Sequence, residues 1–131
     1  MNGTWTDDEL RCVGAATELQ IATRRDDGSL RPYVTIWTVR AGDHLYVRSA
    51  YGADNPWFRR ATAGGSGRIR AAGIERDVTF TAVSELDAAA QAAVDAAYHA
   101  KYDRYGPQIV GTVTGAHAAP VTLRLVPQDA S

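Results

Sequence analysis

The sequence predicts one α+β domain that is dominated by antiparallel strands. Several short runs rich in β-branched and aromatic residues follow one another, separated by tight-turn sequences such as DDG and AGD. The few helical segments do not alternate regularly with these runs, which favours a barrel or an α+β domain over a parallel βαβ fold. A length of 131 residues fits a single domain, residues 1–131, with a sizeable core.

The first part of the chain predicts one helix and three strands. Thr6 and Glu9 form a capping-box pattern, so we expect a short N-terminal helix over about residues 7–16. The three runs LQIATR, LRPYVTIWTV and HLYVRS then predict three strands. Because turn sequences separate the runs, we expect the strands to form an antiparallel meander.

The rest of the chain predicts two helices and several strands. Asn55 suits an N-cap and Pro56 suits the first helical position, so a short helix should follow the third strand, from Pro56 to about Ala63. GRIRAAG and RDVTFTAV predict two strands, after which Ser84 opens the longest helix, LDAAAQAAVDAAYHAKY. IVGTVTG and VTLRLVP predict the last strands.

The composition narrows the classes of function. A formal net charge of -1 provides no global field to attract nucleic acid or an anionic membrane. The single cysteine, Cys12, allows no disulfide within the chain and indicates a reducing compartment. The start MNGTWTDDEL has no basic leader, and no apolar run approaches the roughly 20 residues of a membrane span. We therefore expect a cytoplasmic protein.

Motifs for metal binding or acid–base catalysis do not emerge from the sequence. His44, His99 and His117 stand far apart and have no ligand-like neighbours at metal spacing, so we expect no metal site. The run GGSGR lacks the lysine of a phosphate loop, and no GxSxG motif occurs. The acid pairs fall in a turn and at a helix start, where carboxylates have structural roles.

One junction combines features that suit an anion. Arg48 and Ser49 end the third predicted strand, and the amino end of the helix at Pro56 presents free N–H groups close to them in sequence. Arg59 and Arg60 diverge by about 100° around that helix, so only one of them should face the site. The alternative is equally consistent with the spacing: strand-end arginines beside a capped surface helix.

Flat apolar side chains lie near the same junction. Trp37, Tyr51 and Trp57 are close to it in sequence and offer surface for a planar ligand. Bulky aromatic residues are also common in protein cores, so the residues alone leave both roles open.

At DGSLRPYVTIWTVRAGDHLYVRS the order of features resembles the FMN-binding split-barrel superfamily, which includes pyridoxamine-phosphate oxidases and deazaflavin-dependent reductases. The shared order is a D-G turn, a strand ending in an apolar or aromatic pair, a G-D turn, a strand ending in basic and hydroxyl residues, and a short helix. The resemblance covers about residues 17–84, and the chain looks like a branch of the superfamily known only as a domain of unknown function.

The resemblance implies a six-stranded antiparallel split β-barrel that forms a homodimer with cofactor sites at the subunit interface. FMN or a deazaflavin would contact Thr35, Ile36 and Trp37 through its ring, and Arg48 and Ser49 through its phosphate. The segment Asn55 to Arg60, with Trp57, would lie beneath the phosphate. The partner subunit would contribute Tyr98, Lys101, Tyr102 and Tyr105.

One stretch departs from the superfamily pattern. Better-known members place a lysine and an Asn-Leu pair after the third strand, whereas this chain has NPWFRR. Trp57 and Phe58 either fill the cofactor space or stack on the ring.

Three functions are compatible with these features. The first is a flavin- or deazaflavin-dependent oxidoreductase that acts on a small organic substrate, since a redox cofactor needs no acid–base pair from the protein. The second is a non-redox split barrel that binds a small anionic or aromatic metabolite. The third is a cofactor-independent lyase or isomerase. Nucleic-acid binding ranks last, because the basic block lacks regularly interleaved aromatics.

Overall fold

The structure is a computed structural model that describes residues 4–50 and 52–128. Its helices and strands occur in the order α1 Asp7–Ala15, β1 Leu19–Thr23, β2 Val34–Ile36, β3 Val39–Ala41, β4 His44–Arg48, α2 Pro56–Gly64, β5 Ser66–Ala71, β6 Ile74–Ala82, α3 Ala88–Tyr102, α4 Pro107–Val110 and β7 Thr122–Pro127. Short 3-10 turns follow α3 and precede β7. Tyr51, one of the aromatic residues considered above, lies outside the described residues.

All seven strands belong to one antiparallel sheet with the order β2-β1-β5-β6-β7-β4-β3. Strands β2 and β3 are adjacent in sequence but lie at opposite edges of the sheet, and only Trp37 and Thr38 separate them. The sheet therefore has to curl until its two edges meet at these residues, which produces a split barrel. We call this meeting point the seam.

The split barrel has seven strands instead of the predicted six, and the antiparallel meander predicted for the first three strands was wrong at the seam. The run LRPYVTIWTV does not form one strand, because its backbone leaves the sheet at Thr38. The Thr38 N–H donates to the Tyr102 hydroxyl oxygen at 3.3 Å, and the Thr38 carbonyl accepts from Lys101 Nζ at 2.7 Å. Side chains of α3 thus replace the neighbouring strand as hydrogen-bond partners, and the run divides into β2 and β3.

Two further predictions were wrong near the end of the chain. IVGTVTG contains the end of α4 and a series of turns instead of a strand. The threonine hydroxyls of this segment bond to backbone carbonyls three or four residues earlier: Thr112 Oγ1 donates to the Ile109 carbonyl at 2.6 Å, and Thr114 Oγ1 donates to the Val110 carbonyl at 3.0 Å. The long helix begins at Ala88, later than predicted from Ser84.

The local signals at the other helix starts are confirmed. The Glu9 N–H donates to Thr6 Oγ1 at 3.1 Å and the Thr6 N–H to Glu9 Oε1 at 2.9 Å, which completes the capping box of α1. Helix α2 begins at Pro56, as predicted, and ends before Gly65, whose φ of 75° closes the helix in the left-handed region.

Two groups of buried residues stabilise the fold. One fills the barrel and includes Leu19, Ile21, Leu45 and Ile69, and the other lies between α3 and the strands β3 and β4. The second group contains the α3 side chains Val94, Tyr98 and Tyr102, all fully buried. This packing fixes α3 beside the seam. Among the described residues, no helix has the length and apolar character needed to cross a membrane.

Candidate functional site

A cavity of about 270 Å³ opens at the seam, where β2, the end of β4, the start of α2 and the turns after α4 meet. We call it the seam cavity. Six of the ten site residues predicted from the sequence line it: Thr35, Ile36, Trp37, Arg48, Asn55 and Trp57. The strand ends and the start of α2 thus converge on one place, as the order of features along the chain indicated.

Five residues of the lining were not predicted. Val34 and Ala50 are neighbours of predicted residues, whereas Ile109, Thr112 and Val113 come from the segment that had been assigned to a strand. A signal for this segment was available, since Gly106 and Pro107 are typical of a helix start. Recognising it would have placed a turn, which can close over a cavity, in the segment of residues 109–115.

Trp37 forms an aromatic wall of the seam cavity. Its ring stacks on Tyr102 with the centroids 3.9 Å apart and the planes only 5° from parallel. Tyr105 lies beside Trp37 at a centroid distance of 5.5 Å and a tilt of 38°. One face of the indole is therefore occupied by the protein itself, and the cavity lies against the rest of the ring.

Tyr102 holds this wall in place. Its hydroxyl lies 2.7 Å from the Thr17 carbonyl oxygen and 3.1 Å from the Thr38 carbonyl oxygen, both within donating distance. Burial raises the pKa of Tyr102 to about 12, so the phenol stays protonated and can donate at ordinary pH. Trp37 therefore rests on a rigid, neutral support.

Trp57 contributes the second large aromatic surface. It is 5% exposed and packs edge-on against Phe58, with the ring centroids 5.9 Å apart. Trp57 belongs to the barrel core and lines the seam cavity at the same time. Of the two roles considered for the NPWFRR departure, the position of Trp57 allows both: it fills space beneath the cavity and presents an aromatic surface to it.

Arg48 does not have the open guanidinium that a phosphate grip requires. Its side chain is fully buried, and an arginine side chain has five N–H donors. These donors meet five acceptors of the same chain: an Asp95 carboxylate oxygen, Thr122 Oγ1 at 2.9 Å, the Val113 carbonyl at 2.8 Å, Gln91 Oε1 at 2.7 Å and, more weakly, the Gln91 carbonyl at 3.5 Å. A phosphate would have to displace these partners.

The bonds of Arg48 instead organise one side of the seam cavity. Gln91 and Asp95 belong to α3, and Asp95 also accepts from the Gly115 N–H at 3.2 Å. The bond to the Val113 carbonyl fixes a residue of the cavity wall directly. Arg48 thus joins β4 to α3 and to the turns after α4.

Ser49, Arg59 and Arg60 do not line the seam cavity. Ser49 is buried, and its hydroxyl donates to the Gly52 carbonyl at 2.6 Å. Arg59 and Arg60 are both exposed and line a shallow groove along α2 with Pro56. The prediction that one of these arginines faces the site has no support in this geometry.

Asn55 is the polar group that remains available at the amino end of α2. It occupies the N-cap position, yet its side chain makes no capping hydrogen bond. Because Asn55 and Trp57 both line the seam cavity, the first turn of α2 opens on it. The carboxamide and the free N–H groups of this turn are donors that can reach an anionic or polar group.

The residues expected to reach across to a partner subunit are held within their own chain. Tyr98 and Tyr102 lie on the buried face of α3, are fully buried, and cannot extend to another molecule. The Lys101 ammonium donates to the Thr38 carbonyl of the same chain at 2.7 Å. Tyr105, which is 47% exposed, is the one of these four with a largely free surface.

Lys101 is expected to titrate well below an ordinary lysine, because burial lowers its pKa from 10.5 to about 8. Between these two values the unfolded chain binds more protons than the folded chain, so this group makes the protein more stable as the pH rises from about 8 to about 10.5. Below pH 8 the ammonium is charged in both states and its contribution is constant.

Lysine-selective ¹⁵N or ¹³C labelling tests this directly, because Lys101 is the only lysine and gives a single signal. We expect a midpoint near pH 8 in the folded protein. The stability difference between wild type and Lys101→Met should also change with pH across the window above. A midpoint at the ordinary lysine value would show that the ammonium is well solvated.

Comparison with known proteins assigns the chain to a family. A family model described as "Uncharacterized protein conserved in bacteria (DUF2255)" matches residues 9–125. The chain belongs to this family. None of the curated proteins matches the sequence.

Solved structures similar to this DUF2255 chain include two with named ligands or activities. An FAD-binding protein from Mesorhizobium loti has a TM-score of 0.62 and 17% identity, covering 98% of this chain and 94% of that chain. An F420 reductase has a TM-score of 0.54 and 15% identity, covering 96% of this chain and 97% of that chain.

A conserved hypothetical protein from Mycobacterium tuberculosis is also similar, with a TM-score of 0.63 and 11% identity, covering 98% of this chain and 83% of that chain. These similarities confirm the split-barrel fold that the resemblance implied, and the family model confirms that the chain belongs to a domain family of unknown function. At sequence identities this low, the structural similarity establishes the fold only. The ligand of this chain has to be argued from its own residues.

Proposed function

We propose that the chain binds the ring system of a flavin or deazaflavin in the seam cavity and acts as an oxidoreductase on a small organic molecule. The observation that carries the proposal is Trp37, which Tyr102 supports on one side and which lines an open cavity. The fold shared with an FAD-binding protein and an F420 reductase supports the same conclusion.

The lining of the seam cavity fits a planar, mostly apolar group. Ligand sites are usually apolar concavities of about 300–1,000 Å³ with a few polar groups that set orientation. The seam cavity, at about 270 Å³, lies just below this range and holds a ring more readily than a complete nucleotide. The remainder of a cofactor would therefore extend beyond the cavity.

Individual residues then have distinct tasks. Trp37 and Ile36 pack against the ring, while Asn55 and the first turn of α2 donate hydrogen bonds to its polar edge or to an anionic tail. Arg48 fixes the wall formed by Val113 and makes no direct contact with a phosphate. The bound cofactor supplies hydride or electron transfer, and the chain supplies position and exclusion of water.

A homodimer that covers the mouth of the seam cavity is part of the proposal. Among the described residues, four large hydrophobic side chains are strongly exposed: Val34 at 40%, Leu86 at 89%, Tyr105 at 47% and Ile109 at 43%. Val34 and Ile109 line the cavity, and Tyr105 lies against Trp37. Clustered exposed apolar residues are typical of interaction surfaces, so a second subunit would cover Val34, Tyr105 and Ile109 and enclose the ligand.

Ile109→Glu is expected to shift the protein from dimer to monomer, because a carboxylate in a buried apolar interface stays uncompensated. Light scattering coupled to size-exclusion chromatography measures the change. Leu86→Glu is the matched control, since Leu86 is 89% exposed and does not line the seam cavity, so the change should leave the dimer intact. A wild-type protein that is monomeric at all concentrations would contradict the dimer.

Cofactor uptake tests the proposed function itself. We expect the purified protein to bind FMN, FAD or a 5-deazaflavin and to shift the visible absorption band and quench the fluorescence of whichever cofactor it accepts. Reduction of the bound cofactor and reoxidation by a small acceptor would then establish redox activity. Absence of binding to all three at high micromolar protein would refute the proposal.

One observation favours a non-redox binder as the second candidate. Because all donors of Arg48 are satisfied internally, the seam cavity has no free arginine for a phosphate, and it could instead hold an aromatic metabolite without one. Binding of simple aromatic compounds with no uptake of the three cofactors would support this candidate. A cytoplasmic location stays a prediction of the composition.

A further inference from the structure

A second cleft, of about 400 Å³, lies on the outer face of the sheet beside the hairpin that joins β5 to β6. We call it the outer cleft. It is distinct from the seam cavity and shares only Thr35 with it. The proposed function assigns it no role.

The floor of the outer cleft is a row of polar side chains that crosses four strands. Thr35 pairs with Gln20, Gln20 with Arg70, and Arg70 with Glu75. Their strand neighbours Leu19, Ile21 and Ile69 are buried in the barrel, and side chains alternate along a strand, so the row points outward. The hairpin backbone of residues 71–74 closes one end.

Arg70 has an unusual environment for an arginine of this chain. Its guanidinium carbon lies 3.8 Å from the centre of the Tyr33 ring, close enough for stacking. Its Nε is buried and has no acceptor among the described residues. No ion pair in the described part of the chain includes Arg70, so the outward Nη groups keep free donors.

The nearby acids do not neutralise Arg70. Asp77 accepts from Arg24 at 2.7 Å and from Arg68 at 3.1 Å. Glu75 lies 3.7 Å from Arg68, although it sits directly across from Arg70 in the sheet. Stacking on Tyr33 thus keeps Arg70 apart from a cluster in which the other charges are paired.

Glu18 is the complementary group on the same cleft. It is exposed, lines the outer cleft, and forms no ion pair with any residue that the structure describes. One cation, Arg70, and one anion, Glu18, therefore face the same cleft without an ion-pair partner, while the third charged residue of the lining, Glu75, is paired with Arg68. Gln20 and Thr35 are available for hydrogen bonds. This arrangement suits a molecule that carries both charges, whereas a dianion such as phosphate would meet repulsion from Glu18 and Glu75.

We infer that the outer cleft binds a small zwitterion, with its carboxylate on the outward Nη edge of Arg70 and its ammonium toward Glu18. End-on pairing of a carboxylate with a guanidinium gives two charge-assisted hydrogen bonds, and the Tyr33 ring fixes the plane of the guanidinium in advance. The occupant is an amino carboxylate of a few carbon atoms, and its binding does not depend on a ligand in the seam cavity.

NMR titration of the ¹⁵N-labelled full chain tests the inference with glycine, 4-aminobutyrate and 6-aminohexanoate as probes. At least one probe should shift the amide signals of Gln20, Thr35 and Gly73 with saturation in the millimolar range. Arg70→Gln and Glu18→Gln should each weaken binding about tenfold or more. The matched charge controls are Arg124→Gln and Glu85→Gln, and both should bind as wild type. Arg124 resembles Arg70 in that its Nε is also buried without an acceptor among the described residues.

Several results would overturn the inference. Acetate or inorganic phosphate binding as tightly as the best amino carboxylate would remove the role of Glu18. Equal loss of affinity in Arg124→Gln would make the effect one of net charge. Shifts that depend on protein concentration without any probe would assign the cleft to self-association, and no saturable shift up to roughly 50 mM of any probe would show that it binds no such molecule.

Discussion

Replacing Arg48 with methionine is expected to lower the free energy of unfolding by about 3–5 kcal/mol, because the fully buried Arg48 side chain makes several hydrogen bonds and its buried acceptors would lose their donor. The variant removes one hydrogen-bond donor from each of the Asp95 carboxylate, Gln91 Oε1 and the Val113 carbonyl, which all accept from Arg48 in the folded chain. A loss of this size is a large part of the 5–15 kcal/mol that stabilises a typical domain. Urea unfolding followed by circular dichroism measures it.

Two further variants separate this explanation from a general effect of charge. Arg60→Met removes an exposed arginine and should change the stability by less than about 0.5 kcal/mol. Adding Asp95→Leu to Arg48→Met should recover part of the loss, since replacing both partners of an ion pair by apolar groups costs less than leaving one charge without its partner. If Arg48→Met were as stable as wild type but lost affinity for a phosphate-bearing ligand, the original phosphate-grip prediction would be right and the internal network unimportant.

The hydrogen-bond partners of Arg48 also show why only part of this site could be predicted from the sequence. The strand end, the loop and the capped helix are local features, and their chemistry placed Trp37, Asn55 and Trp57 at a common cavity. The partners of Arg48 lie 43 to 74 residues away along the chain. The local sequence pattern does not distinguish an arginine that is free to bind a ligand from one that is buried against a helix distant in sequence.

The same contrast holds for the fold. Helix α1 was predicted well because its capping box lies within four residues, and strands β5 and β6 because the runs GRIRAAG and RDVTFTAV carry their own local β pattern. The break between β2 and β3 was missed, since the β-type pattern runs through Trp37 and Thr38 without interruption. Only the bonds that Thr38 makes to Lys101 and Tyr102, more than 60 residues later, divert the chain.

That diversion gives the seam its aromatic wall. If Trp37 and Thr38 had continued the strand, the indole would be one more sheet side chain. Released from the ladder, Trp37 instead stacks on Tyr102 and lines the seam cavity. The fold thus departs from its prediction at Trp37, which is also the residue on which the proposed ligand site depends.

Trp37→Leu is accordingly expected to weaken binding of the preferred cofactor, FMN, FAD or 5-deazaflavin, by about ten- to a hundredfold. Stacking of a planar heterocycle on an aromatic side chain contributes about 1–3 kcal/mol, and leucine retains apolar volume without the flat surface. Equilibrium titration of cofactor fluorescence gives the dissociation constant. The rate of cofactor reduction in the saturated variant should fall less than the affinity, because Trp37 positions the ring and carries no proton.

Trp5→Phe is the matched control for Trp37→Leu. Trp5 is a buried tryptophan whose indole N–H donates to the Leu125 carbonyl at 3.0 Å, and it does not line the seam cavity. The control should bind the cofactor as wild type while losing stability, and tryptophan fluorescence should still be quenched by the cofactor through Trp37 and Trp57. Equal dissociation constants for wild type and Trp37→Leu would show that the ring does not stack on Trp37 and would contradict the proposed position of the cofactor.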